Sequence, residues 1–150
     1  MRKIIFTGFL FLHIIARSQQ FVGSFTDAKA NGTRISKLDS IYKNAIGSGV
    51  IVFKGQEEKF MAAYQKMLQD FGAYLKKNGF SFGQSTRSFT RIYFKADGSI
   101  DFFLYNFKPG VAPEDKIKAF DRLLKEFVKS YNIGMQGSEN FVQCSPTVFS

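Results

Sequence analysis

Between Ser88 and Phe107 the chain reads SFTRIYFKADGSIDFFLYNF, two apolar runs separated by Ala96-Asp97-Gly98. Asp-Gly between alternating apolar stretches is a strong hairpin signal, because tight turns need residues that accept positive φ. Two registers compete. A two-residue loop at Asp97-Gly98 sets Phe94 opposite Asp101 and Ile92 opposite Phe103. A three-residue loop, Ala96 to Gly98, gathers Ile92, Phe94, Ile100, Phe102 and Leu104 on one face. It leaves Arg91, Tyr93, Lys95, Asp101, Phe103 and Tyr105 on the other. A one-residue slip turns every side chain over, and the second register separates apolar from mixed residues better, so it is the expected one.

Two helical patterns flank the hairpin. From Gln56 to Asn78, Phe60, Tyr64, Met67, Leu68, Phe71, Tyr74 and Leu75 form one stripe, with Glu57 and Glu58 at the start and Lys76 and Lys77 at the end. That charge order suits the helix dipole, and Gly79 is the stop. After the hairpin, Pro113 opens a second helix whose inward residues are Ile117, Phe120, Leu124, Phe127, Val128 and Tyr131. A last strand is expected from Phe141 to Phe149, alternating Val142, Cys144, Pro146 and Val148 with Phe141, Gln143, Ser145, Thr147 and Phe149. Pro146 has no N–H to donate, which places this strand at a sheet edge or ends its pairing there. The expected fold is α+β, in the order helix, strand, strand, helix, strand, with two amphipathic helices on one face of a small antiparallel sheet.

The segment before Gln56 divides in two. Met1-Arg2-Lys3 is a positive start, Ile4 to Ala16 is mostly apolar, and Ala16-Arg17-Ser18 puts small residues at −3 and −1 of a cut before Gln19. This is the layout of a cleaved signal peptide, 1–18, and is short for a spanning helix of about 20 apolar residues. The chain is thus expected to be exported, to the periplasm or beyond the cell, with no integral membrane segment after cleavage. Residues 19–55 read as a lead-in: loose from Gln19 to Arg34, then a short helix through Ile35, Leu38, Ile41, Tyr42 and Ala45, then Val50 to Phe53 as a strand or a core-docking segment. The α+β domain proper is expected over 56–150.

Composition excludes several chemistries. The only histidine, His13, lies in the leader, so no Ser-His-Asp or Cys-His pair and no His-ligated metal is expected in the mature chain. Cleavage removes Arg2, Lys3 and Arg17 and no acid, so the net charge falls from +9 to +6. The single cysteine, Cys144, has no internal disulfide partner and reads as a small core residue. Asp97-x-Ser99-x-Asp101 lacks the glycine and terminal glutamate of a calcium loop. No cofactor, metal or catalytic residue is expected, and an enzyme is not the preferred reading. With 19 Phe and no Trp, aromatic packing should dominate the core.

The mixed face is the unusual feature: Phe89, Arg91, Tyr93, Phe103, Tyr105 and Phe107 share it in the expected register. Either residues 35–53 or a second copy of the chain covers it, or it is an exposed aromatic partner surface. Arg91 opposite Phe103 would suit a cation–π contact. The basic and aromatic pattern does not match the RRM signature, so nucleic acid is not expected as a partner.

With helix, hairpin, helix and final strand in that order, and with ADGSI turning the hairpin at Ala96–Ile100, residues 56–149 resemble the C-terminal domain of TonB-like periplasmic proteins. The Tyr-Pro that precedes the first strand in that family and its Pro-rich spacer are not found. The resemblance implies that the last strand offers its edge, with Gln143, Ser145 and Thr147, to an extended peptide from an envelope protein. The preferred expectation is therefore a non-catalytic protein- or peptide-binding module. Its alternatives are a small hydrolase or ligand carrier with a pocket between helix and sheet, and a structural envelope component forming a homodimer.

Overall fold

The computed structural model describes residues 20–150, so the expected leader, 1–18, lies outside the described residues. In chain order the elements are β1 (Phe21–Ser24), α1 (Phe25–Ala30), α2 (Ile35–Ile41), β2 (Lys43–Asn44), α3 (Glu57–Lys77), β3 (Thr86–Phe94), β4 (Ile100–Phe107), α4 (Glu114–Val128) and β5 (Phe141–Phe149). The fold is α+β. Its five strands form one sheet in the order β1-β4-β3-β5-β2.

The centre is antiparallel, β4-β3-β5, as the hairpin and the final strand require. The margins differ from expectation. The short strands β1 and β2 come from the lead-in and join parallel to β4 and β5, so the sheet is mixed. Residues 20–55 are thus built into the sheet rather than set apart from it. The lead-in was not loose: Ser24 caps α1 by accepting from the Asp27 N–H at 3.0 Å, and the Asp27 carboxylate reaches back to the Ser24 N–H at 3.4 Å. That reciprocal pair is a capping box, and Ser24-Phe25-Thr26-Asp27 carried its signature in the sequence.

The long helices α3 and α4 pack on one face of the sheet. Phe60, Tyr64, Met67, Phe71 and Leu75 of α3 and Phe120, Leu123, Leu124 and Val128 of α4 are buried there. Phe120 is the hub, with the rings of Tyr105, Phe107 and Phe149 at 5.2, 5.2 and 5.0 Å. On the opposite face α1 and α2 bury a smaller cluster: Ala28, Leu38 and Tyr42 against Tyr93, Leu104 and Val142.

The hairpin register is the main correction. At the turn Phe94 pairs with Ile100, as the three-residue loop demands, but Tyr93 pairs with Phe102 and Ile92 with Phe103. Asp101 is an extra residue on β4, a β-bulge that slips the register by one and turns over everything after it. Phe103 and Tyr105 therefore join the α3–α4 core, while Phe102 and Leu104 go to the second face. Alternation could not reveal this, because both faces are covered and Phe102 to Tyr105 is apolar throughout.

Candidate functional site

The bulge divides the expected partner face between two cores. Tyr93, Phe103 and Tyr105 are 0%, 1% and 2% exposed, so none of them is open to a partner. Tyr93 packs under Tyr42, ring centroids 5.0 Å apart, and donates to the Asp39 carboxylate at 3.1 Å. Arg91 stands opposite Leu104 rather than Phe103. It is ion-paired to Asp39 and lies 5.6 Å from the centroid of the Tyr93 ring, so its cation–π partner is its neighbour on the same face. Phe107 is half-buried among Phe82, Phe120 and Phe149. Only Phe89 remains substantially open, at 44%. The expected face does not exist as a surface, because residues 20–42 supply α1 and α2 to cover one half and the bulge buries the other under α4.

The edge of β5 is different. β2 pairs only with Phe141 and Val142. From Gln143 to Phe149, β5 has β3 on one side and no strand among the described residues on the other. By alternation Gln143, Ser145, Thr147 and Phe149 face α3, and Cys144, Pro146 and Val148 face the other way.

Beside this edge, on the α3 side, lies a groove of about 650 Å³ between Leu68, Gly72 and Lys76 and the strand residues Thr147 and Phe149, closed at one end by Phe80 and Ser81. Gly72 shapes it. A Cβ built there would meet nothing within 4 Å, so its absence is not demanded by packing and leaves the groove open along the helix. On the opposite side of the same edge Pro146 and Val148 are exposed, Val148 at 57%, and Pro146 stands beside Phe89 on β3. The edge is flanked by apolar surface on both faces.

The side chains expected to meet a partner are turned inward instead. The Tyr64 hydroxyl lies 2.8 Å from the Ser145 hydroxyl, and Thr90 Oγ1 lies 3.0 Å from Thr147 Oγ1 and donates to the Ser145 carbonyl at 3.2 Å. Burial pushes the Tyr64 phenol above its ordinary pKa, so it stays neutral in this network. The network ties α3 to β5 and holds the edge straight. Gln143 donates its amide to the Cys144 carbonyl at 3.0 Å, which occupies one main-chain acceptor at the start of the open edge. What remains available from Gln143 to Phe149 is mostly backbone. Val148 and Pro146 were legible as the alternate face of the strand. Leu68 read as core, and Gly72, a glycine inside a helical stripe, was the unread signal of a groove.

The carboxylates are engaged elsewhere. Asp101 is buried on the second face, accepts from the Tyr42 hydroxyl and lies 3.8 Å from Lys95. Asp70 accepts from Lys66 and Tyr131, both at 2.8 Å, and the Lys66 ammonium first, then the Tyr131 phenol, hold its carboxyl below the usual range. Asp97 accepts from the Ser99 N–H at 2.9 Å and hydroxyl at 2.6 Å, which closes the hairpin turn. No cluster of three or more His, Cys, Asp or Glu able to hold a metal occurs among the described residues. The Cys144 thiol, half-buried among the second-face residues, is pushed up by burial. No helix among the described residues is long and apolar enough to cross a membrane.

Comparison with protein-family models, curated proteins and solved structures finds no match to this chain.

Proposed function

We propose that this chain is an exported, non-catalytic module that binds an extended segment of a cell-envelope protein by adding it as a strand to the edge of β5. The observation that carries this reading is the unpaired edge from Gln143 to Phe149 with the α3 groove beside it. Strand addition draws affinity from main-chain hydrogen bonds and selectivity from pockets that take alternate side chains. Both are provided for. A segment of about seven residues would span this edge at ~3.3 Å per residue. Its alternate side chains would enter the groove over Gly72 or lie against Pro146 and Val148. The TonB-like resemblance points to the same strand. A hydrolytic reading would place a carboxylate at the pocket, whereas the buried Asp101 lies on the opposite face of the sheet.

The test is selection of short peptides on the purified protein, followed by amide hydrogen exchange. Bound peptide should slow exchange at outward-facing amides between Gln143 and Phe149, and Gly72→Leu, which fills the groove from an exposed helix position, should abolish binding while helicity is kept. Peptides that protect some other region, or bind the Gly72→Leu protein equally well, would reject the edge as the site.

A further inference from the structure

The charges around the groove are one-sided along its length. At the end near Leu68 and Pro146 the lining is neutral, whereas Lys76 lines the end near Phe149. Arg87, opposite Val148 on β3, is exposed at that same end on the other face of the sheet. Lys116 lies there too, donating to the Ser81 carbonyl at 2.6 Å and resting 5.6 Å from the centroid of the Phe80 ring. No acidic side chain lines the groove, and neither Lys76 nor Arg87 is ion-paired among the described residues. The nearest acid on α3, Asp70, is held by Lys66 and Tyr131.

We infer that the partner of this edge is an extended segment that is apolar over Gly72 and Pro146 and acidic at the end lying against Phe149. The proposal rests on strand addition at the same edge and adds the chemistry of what is taken. A strand laid on β5 sends successive side chains to opposite faces. Two neighbouring acids at that end would therefore reach Lys76 on the groove side and Arg87 on the other. The register of the partner is fixed by this polarity. Main-chain hydrogen bonds alone would let the segment slide along the edge, and a charge at one end removes that freedom. The net charge of +9 adds a field of the same sign that draws an acidic segment to the surface before it docks.

The test uses three fluorescein-labelled peptides of alternating valine and threonine, ending in two glutamates, two glutamines or two lysines, each made with the charged pair at either terminus. Binding to the full chain is followed by fluorescence anisotropy. An exposed ion pair contributes about 0.2–1 kcal/mol, so two should favour the glutamate peptide roughly 2- to 20-fold over the glutamine peptide. That lead should shrink in salt, where the Debye length falls to about 3 Å at 1 M. In the K76E/R87E protein the order should reverse in favour of the lysine peptide. Both positions are exposed, and K76Q alone, which should only erase the preference, serves if the double variant does not fold. Equal binding of all three peptides by the native protein overturns the acidic preference and leaves strand addition standing. Binding of none of them, together with failure of peptide selection, overturns both.

Discussion

Gly98 and Gly72 show what a single missing Cβ does in two settings. Gly98 closes the hairpin turn at φ +85°, and a Cβ there would lie 2.5 Å from the Met135 carbonyl oxygen and 2.8 Å from Asn132 Oδ1. The loop from Asn132 to Gly137 clasps this turn: the Ile133 N–H donates to the Gly98 carbonyl at 3.0 Å and the Gly137 N–H to the Ala96 carbonyl at 2.8 Å. Gly98→Ala should therefore cost more than the ~1–2 kcal/mol of left-handed backbone strain alone, which urea unfolding would read directly. Gly72→Ala should go the other way. Open space and a helical backbone predict a gain of roughly 0.5–1 kcal/mol. A loss at Gly72 would mean that the groove is not the open space described here. At Thr90, fully buried between Tyr64, Ser145 and Thr147, the change to Val should cost about 1–3 kcal/mol because it leaves buried hydroxyls short of a partner.

At the scale of the element, the bulge at Asp101 decides which aromatic goes where. It moves Phe103 and Tyr105 under α4, where Tyr105 donates to Asp121 at 3.2 Å. It also turns the Asp101 carboxylate toward Tyr42, at the end of α2. Tyr42→Phe removes that donor from a carboxylate that is 4% exposed, and should destabilise the protein by about 1–3 kcal/mol. Phe103→Ala and Tyr93→Ala should each cost about 3–5 kcal/mol, the range for truncating buried rings. Near-neutral effects at both positions would reinstate an open aromatic face. The same bulge explains why a hairpin whose turn was legible still misassigned half of its side chains. Asp97-Gly98 fixes the loop, but nothing in Ile100 to Phe107 marks Asp101 as unpaired, since a polar residue next to the turn is as compatible with a regular strand as with a bulge. The final strand was more legible. Pro146 marked its edge, and its alternation held, because it carries no irregularity between Phe141 and Phe149.

Across the whole molecule the tyrosines give a common readout. Burial raises all six, Tyr42, Tyr64, Tyr74, Tyr93, Tyr105 and Tyr131, above the ordinary phenol value of 10.0. A group whose folded pKa is raised adds stability that is complete below the unfolded value and is lost as pH rises past it. Stability should hold up to about pH 10 and fall above it, with tyrosinate absorbance appearing together with loss of circular dichroism. A gradual phenol titration near 10 in the folded protein would contradict the packing described here.

The sequence by itself determined the long helices, the hairpin and its loop, the final strand with its Pro-marked edge, and the α+β class. Each of these rests on local information: a period, a cap, a turn dipeptide or a missing donor. Even Ser24-x-x-Asp27 was there to be read. Only the tertiary structure decided that residues 20–55 complete the sheet and cover its second face, that Asp101 bulges, and that a groove opens beside β5. Those depend on which surfaces meet at long range. Once both faces of a sheet are covered, an apolar run carries no record of which side each residue takes.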